Sequence, residues 1–140
     1  MKLLVDTNIV LDVFLSREKN TNASVEIFEL IYQEKVDAFI TASTITDIYY
    51  IVEKRLGNAR AREVLQNLIN ILNIITVEGE DCAQALDIPV SDYEDALIIV
   101  CSNKIGIDFI ITNDNDFLQV DSELAQIIRP REFLRIWHSL

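Results

Sequence analysis

Phe109-Ile110-Ile111-Thr112-Asn113-Asp114 is the stretch that best indicates the fold, because an uninterrupted apolar run ends in a polar turn. Apolar side chains pointing in both directions are typical of a parallel strand covered by helices on both faces. Similar short apolar runs recur along the chain. The sequence therefore predicts five strands, over residues 2–5, 38–41, 73–77, 109–112 and 125–128.

Longer segments with apolar residues at helical spacing lie between these runs, for example Val64, Leu65 and Leu68. An alternation of strands and helices favours an α/β fold with a parallel sheet between two helical layers, a three-layer α/β/α sandwich. Besides segments around Val25 and Val64, the pattern predicts helices over residues 7–16, 43–56, 80–86, 92–104 and 130–138.

The size and composition of the chain favour one domain over residues 1–140, since half of the 140 residues are apolar and no linker or repeat interrupts them. No apolar run approaches the roughly 18 residues that cross a bilayer. Asp6 follows the N-terminus too closely for a signal peptide. We therefore expect a cytoplasmic protein without a membrane segment.

The net charge of −11 comes from 23 acidic and 12 basic residues, and it repels a polyphosphate at long range. Unaided binding of nucleic acid is therefore disfavoured. The excess of carboxylates points either to a cationic partner or to a bound divalent metal.

Several acids lie at strand-to-helix turns, where ligands bind in open α/β sheets. Asp6 ends the first strand, Asp47 lies early in the next helix, Asp95 opens a very apolar helix, and Asp114 and Asp116 follow the fourth strand. Carboxylates that converge on one sheet edge cannot all stay ionised without a cation. Oxygen ligands select Mg²⁺ or Mn²⁺, and such a site lowers the pKa of a bound water.

Each acid also has an ordinary structural explanation. Thr44 to Asp47 and Ser91 to Glu94 both have the spacing of a helix capping box. This spacing favours a capping role for Glu94, whereas capping and function are equally compatible with Asp47. Capping is an alternative for Asp6 too, although a charge that ends a buried strand needs compensation.

Three motifs together resemble the PIN domain: Leu4-Val5-Asp6-Thr7-Asn8-Ile9, Asp92-Tyr93-Glu94-Asp95-Ala96-Leu97 and Ile111-Thr112-Asn113-Asp114-Asn115-Asp116-Phe117. Their order and spacing, over nearly the full chain, are similar to the toxin branch of that family, the VapC-like ribonucleases. The resemblance implies a five-stranded parallel sheet in the order 3-2-1-4-5. It also implies metal-assisted hydrolysis of RNA that leaves 5′-phosphate and 3′-hydroxyl ends.

The resemblance assigns residue roles as well. Asp6, Asp95 and Asp114 are implied metal ligands for Mg²⁺ or Mn²⁺, with Asp116 a water-mediated contributor. Asp47 stands where the family usually has Glu, so its shorter side chain reaches the metal only through water. The supporting polar positions are Asn8 and Thr112.

Partners are expected on two grounds. The cations Lys54, Arg55, Arg60 and Arg62 cluster at a helix-helix junction, where RNA contacts and a solvated surface are alternative interpretations. The apolar run 48–52 exceeds one buried stripe and predicts a homodimer. The resemblance further implies a small antitoxin whose cationic side chain enters the acidic site.

Two other functions remain as alternatives. A PIN-like interaction module with weak catalysis is compatible with Asp47 and the acidic charge. Asp6-Thr7-Asn8-Ile9-Val10 also resembles the nucleophile motif of haloacid-dehalogenase-type phosphatases. Asn8 there replaces the acid that protonates the leaving group, which disfavours a phosphatase.

Overall fold

Five parallel strands form one sheet in the order β3-β2-β1-β4-β5. The computed structural model describes residues 1–15 and 21–140, with only the backbone of Thr21. The strands are β1 (Lys2–Val5), β2 (Asp37–Thr41), β3 (Asn73–Ile75), β4 (Phe109–Ile111) and β5 (Ile127–Ile128). The predicted strand order is confirmed, and β1 lies at the centre with Leu4 opposite Phe39 on one side and Ile110 on the other.

Eight helices connect and follow the strands in the described part of the chain. They are α1 (Thr7–Phe14), α2 (Thr21–Tyr32), α3 (Ala42–Leu56), α4 (Asn58–Ile71), α5 (Gly79–Ala85), α6 (Tyr93–Ile105), α7 (Asn115–Leu118) and α8 (Pro130–His138). The predicted first helix extends to Ser16, which lies outside the described residues. None of the helices described is both long and apolar enough to span a bilayer.

The two faces of the sheet belong to two separate apolar clusters, which confirms the three-layer arrangement. Leu3 and Val5 point into the cluster formed with α1 to α4 and α8, whereas Leu4 points into the cluster formed with α5, α6 and α7. This alternation follows from the two-residue period of a strand. Helix α6 is buried continuously from Ala96 to Cys101, so its beginning is fixed against the sheet.

The capping of two helices differs from the sequence prediction. The side chain of Thr41 accepts a hydrogen bond from the backbone N–H of Thr44 and caps α3, so Asp47 lies within the helix. Asp92 caps α6 by accepting from the N–H of Asp95 at 3.0 Å, which leaves Glu94 without that role. The capping role favoured for Glu94 is therefore wrong, and of the two alternatives left open for Asp47 the structure does not support capping.

The short helix α7 was not predicted as an element. The side chain of Asp114 accepts from the N–H of Asp116 at 2.9 Å and starts this single turn. Phe117 in the same turn is fully buried and anchors the loop after β4 to the sheet. Two polar residues followed by two apolar ones give too little periodicity to indicate a helix of four residues.

Candidate active site

A cavity of about 480 Å³ opens at the carboxyl end of the central strands. Four segments supply its acids: the end of β1, the first half of α3, the start of α6 and the loop after β4. Six carboxylates line it, from Asp6, Asp47, Asp92, Glu94, Asp95 and Asp114. The sequence-predicted acids Asp6, Asp47, Asp95 and Asp114 therefore meet at one place.

Asp6 is the most deeply held of these acids and is 8% exposed. Its carboxylate accepts hydrogen bonds from the backbone N–H of Thr7 at 2.8 Å and from the hydroxyl of Thr112 at 2.8 Å. Burial raises the pKa of Asp6 above its ordinary value, against the lowering effect of these hydrogen bonds, and the nearby Asp114 raises it further. Asp6 thus carries a charge that its surroundings only partly compensate.

Asn8 and Thr112 tie β1 to the loop after β4. Asn8 Nδ2 donates to Asp6 at 3.0 Å and to Thr112 Oγ1 at 3.1 Å, and Asn8 Oδ1 accepts from the N–H of Asn113 at 2.9 Å. Thr112 Oγ1 also accepts from the N–H of Asp114 at 3.0 Å. Both side chains therefore occupy positions that support Asp6 and the loop that carries Asp114.

Asp95 begins the buried part of α6 and is 9% exposed. Burial raises the pKa of Asp95 to about 7, and the negative charges of Asp92, Asp6, Asp114 and Asp116 add to this effect. A carboxylate at a helix N-terminus is ordinarily stabilised in its charged form. Burial and crowding outweigh that stabilisation at Asp95.

Glu94 is a site residue that the sequence did not reveal. Its carboxyl group shares a hydrogen bond with Asp47, and this contact, together with burial and the negative charge of Asp47, raises the pKa of Glu94 to about 8. Two carboxylates make such a bond only when a proton lies between them. Glu94 lies beside Asp95 in sequence, but only the tertiary fold, which brings the start of α6 and the first half of α3 to one cavity, places it next to Asp47.

Asp116 lies apart from the other predicted ligands. It is exposed and lines a second cavity of about 1070 Å³, which adjoins the first and shares Asp92, Asp95 and Asp114 with it. The structure therefore brings Asp116 to the rim of the acidic region without placing it in the cavity around Asp6.

The four predicted RNA-binding cations line neither cavity. Arg60 forms an ion pair with Glu63 at 2.7 Å, and Arg62 donates to Asn58 and lies 5.8 Å from the centre of the Tyr49 ring. Lys54 and Arg55 are exposed in the last turn of α3, where cations are favoured by the helix dipole. Their role in RNA binding stays a prediction.

Another cation, Arg129, lies nearer to the site. It donates to the carbonyl of Asn113 at 3.4 Å and to the side chain of Asn115, so it fixes the loop that carries Asp114. Its position before Pro130 in sequence gave no indication of this contact.

The donor chemistry of the cavity fits a hard divalent cation, because all the candidate ligands are carboxylate oxygens. None of the carboxylates of Asp6, Asp47, Glu94, Asp95 and Asp114 pairs with a Lys, Arg or His within residues 1–15 and 21–140. No three acidic, histidine or cysteine side chains of those residues are already arranged as a closed set of metal ligands. Binding of an ion therefore requires adjustment of side chains that now repel one another.

Fold and site together define an α/β protein with a carboxylate-rich cavity at the switch point of a 3-2-1-4-5 sheet. The family model of the PIN domain matches residues 2–116, and the chain belongs to this family. Nucleases of the VapC type within it generally depend on a divalent metal ion.

Known proteins of this family resemble the chain over nearly its full length. Ribonuclease VapC1 of Aquifex aeolicus (strain VF5) is 28% identical over 144 residues, which cover 99% of this chain and 97% of that protein. The solved structure of DNA-bound VapBC from Salmonella typhimurium superposes with a TM-score of 0.70 at 20% identity, over 93% of this chain and 98% of the other. VapBC2 from Rickettsia felis, bound to a DNA fragment from their promoter, gives a TM-score of 0.70 at 14% identity, over 92% and 98%.

Proposed function

We propose that this protein is an endoribonuclease that requires Mg²⁺ or Mn²⁺ and acts as the toxin of a toxin-antitoxin pair. The observation that carries the proposal is the group of carboxylates around one cavity, which lack any cationic partner in the described ranges. The similarity to ribonuclease VapC1 supports RNA as the substrate.

In this proposal Asp6, Asp95 and Asp114 hold the metal, and Asp116 contributes from the rim through water. A bound ion there supplies charge neutralisation for the phosphodiester and lowers the pKa of a coordinated water. Asn8 and Thr112 keep Asp6 in place through their hydrogen bonds. Asp47 and Glu94 face the same cavity, where a carboxylate with a raised pKa is suited to accept or return a proton near neutral pH.

The test is cleavage of a mixed RNA pool with Mn²⁺ by the wild type, Asp6→Asn and Asp95→Asn. We expect cleavage by the wild type, with 5′-phosphate ends, and a loss of about 100-fold or more in both variants, because each substitution removes a ligand charge. Asp37→Asn is a matched control, since Asp37 is an exposed acid at the start of β2. Equal cleavage by all four proteins contradicts the site assignment.

A catalytically weak interaction module is the second candidate, and the short side chain of Asp47 favours it. In that case Mn²⁺ neither raises the melting temperature nor supports cleavage of any RNA in the pool. The hydrogen bond between Asp47 and Glu94 supports the enzyme instead, because Glu94 brings a longer carboxylate to the same side of the cavity.

The partner in this proposal is a small antitoxin protein that presents a cationic side chain to the acidic cavity. The net charge of −11 and the similarity to VapBC complexes support such a partner. Cytoplasmic location, a single domain over residues 1–140 and a homodimer complete the proposal. The run 48–52 does not by itself locate the dimer interface, because Ile48 and Val52 are buried in the core of the protomer. If a short reading frame adjoins the gene, co-expression with it, followed by light scattering of the purified proteins, tests the complex; light scattering of this chain alone tests the dimer.

A further inference from the structure

The acidic cavity has a second wall of different chemistry. Besides its carboxylates, the cavity is lined by Tyr50, Ile51 and Leu11, which form this wall. Tyr50 and Ile51 follow Asp47 by three and four residues, so all three share one face of α3. The other face of the helix carries Ile48 and Val52, which are fully buried in the core. The packing of α3 therefore turns this acid and this aromatic ring toward the same space.

The contacts of Tyr50 do not indicate a role in stabilising the fold. It is 64% exposed, and Ile51 beside it is 39% exposed. Ligand sites are commonly lined by hydrophobic and aromatic side chains, beside a few polar groups that fix the orientation of the ligand. The position of Tyr50 thus points to a ligand group that is flat and apolar.

The ring of Tyr50 is nevertheless held in place. It packs edge to face on Tyr49, with ring centres 5.3 Å apart and planes at 85°. Tyr49 in turn donates its hydroxyl to Glu53 at 2.9 Å and lies under the guanidinium of Arg62. A pre-oriented ring loses less conformational freedom on binding than a free one.

We propose that Tyr50 is the stacking platform for an unpaired RNA base next to the scissile phosphate. This inference rests on the proposed ribonuclease function. A chain with a net charge of −11 gains little from long-range attraction to RNA, so its affinity has to come from short-range contacts. Stacking of a base on an aromatic side chain supplies such a contact without regard to charge. Arg62 lies 5.8 Å from the centre of the neighbouring Tyr49 ring, and we assign it as a cation for a phosphate of the bound RNA.

The experiment compares Tyr50→Leu, Tyr50→Trp and wild type on a short single-stranded RNA that contains a cleavage site mapped with the wild type. Tyr50→Leu keeps an apolar side chain and removes the flat ring. We expect KM to rise about ten-fold with kcat nearly unchanged, and Tyr50→Trp to restore wild-type KM. Tyr32→Leu is the matched control, because Tyr32 is 75% exposed and lines neither acidic cavity.

A second substrate separates stacking from other effects. Two versions of the same RNA carry one abasic nucleotide, immediately 5′ or immediately 3′ of the cleaved bond, so that each lacks one base and keeps all the phosphates. We expect the wild type and Tyr50→Leu to have the same KM on one of the two abasic RNAs. On the RNA that lacks the stacked base, neither protein can form the stacking contact.

Three results overturn the inference. One is an unchanged KM in Tyr50→Leu, and another is a KM difference that persists on both abasic RNAs. The third is a change of oligomeric state in Tyr50→Leu, seen by light scattering, which assigns Tyr50 to an interface between copies. Failure of the proposed function looks different, since the wild type then cleaves no RNA with Mn²⁺.

Discussion

The hydroxyl of Thr112 takes part in three hydrogen bonds at the site. It donates to Asp6 at 2.8 Å and accepts from Asn8 Nδ2 and from the N–H of Asp114. Thr112 is fully buried, so no water replaces these bonds when the hydroxyl is lost. A buried donor or acceptor left without a partner is costly.

Thr112→Val is therefore expected to lower the free energy of unfolding by about 1–3 kcal/mol, since it keeps the shape and removes the hydroxyl. The variant also removes the hydrogen bond that lowers the pKa of Asp6, so Mn²⁺ affinity should fall. Urea unfolding and a Mn²⁺ titration measure the two effects. Thr112→Ser is the control and should retain most of both; a Val variant as stable as the wild type contradicts the role of the hydroxyl.

Glu94 provides a second prediction at the same scale. Glu94→Gln removes one ionisable group from the crowded cavity and keeps its hydrogen-bonding shape, so the metal-free protein should melt higher at pH 8. Cleavage with Mn²⁺ should fall by about ten-fold or more, because general acid and base groups contribute at least this much. Thermal melting and initial rates test the pair of effects. A Gln variant with normal activity shows that Glu94 does not act as a general acid or base.

At the scale of elements, the residue that caps α6 also repels the carboxylate of Asp95. Asp92 accepts from the N–H of Asp95 and caps the helix, but its negative charge also raises the pKa of Asp95. The two effects have opposite consequences for stability. Substitutions that remove only one of them separate the two.

Asp92→Ala should destabilise the protein by about 1 kcal/mol through loss of the cap, in the usual range for such substitutions. Asp92→Ser keeps a capping oxygen and removes the charge, so it should be at least as stable as the wild type at pH 8. In both variants the pKa of Asp95 should fall, because a like charge has gone. NMR titration of the Asp95 carboxyl and chemical denaturation measure these outcomes. Equal stability of the Ala and Ser variants is the result that speaks against the cap.

For the whole molecule, the raised pKa values make the stability of the metal-free protein depend on pH. In the folded state the pKa of Asp95 is raised to about 7 and that of Glu94 to about 8, whereas both carboxyl groups have ordinary pKa values of about 4 in the unfolded chain. The folded state therefore binds more protons than the unfolded state between pH 4 and pH 8. Since stability falls with pH wherever the folded state binds more protons, this contribution is lost as pH rises through that window.

In EDTA, the melting temperature should therefore be several degrees higher at pH 6 than at pH 8. The net charge of −11 acts in the same direction through self-repulsion. Mn²⁺ should raise the melting temperature more at pH 8 than at pH 6, because protons compete with the ion for the same oxygens. Asp6→Asn should show a smaller response to Mn²⁺. A melting temperature that rises with pH in EDTA contradicts the crowding of charges.

The sequence alone predicted the buried strands and the acids that share one edge of the sheet. Uninterrupted apolar runs such as Phe109-Ile110-Ile111 indicated buried parallel strands, and acids directly after them, such as Asp6 and Asp114, indicated one shared edge. Strand burial and the direction of parallel strands are local properties, so a short window of residues carries them. The resemblance to the PIN domain supplied the strand order.

Only the tertiary structure decided which neighbouring side chain faces the cavity. Glu94 contacts Asp47, Asp92 takes the capping position that the spacing gave to Ser91, and Tyr50 forms the second wall. One residue along a helix turns the side chain by about 100°, so a shift of one position moves a group from the cavity to solvent. That rotation is set by the packing of Ile48 in α3 and of the apolar run of α6 against the sheet, contacts between residues distant in sequence.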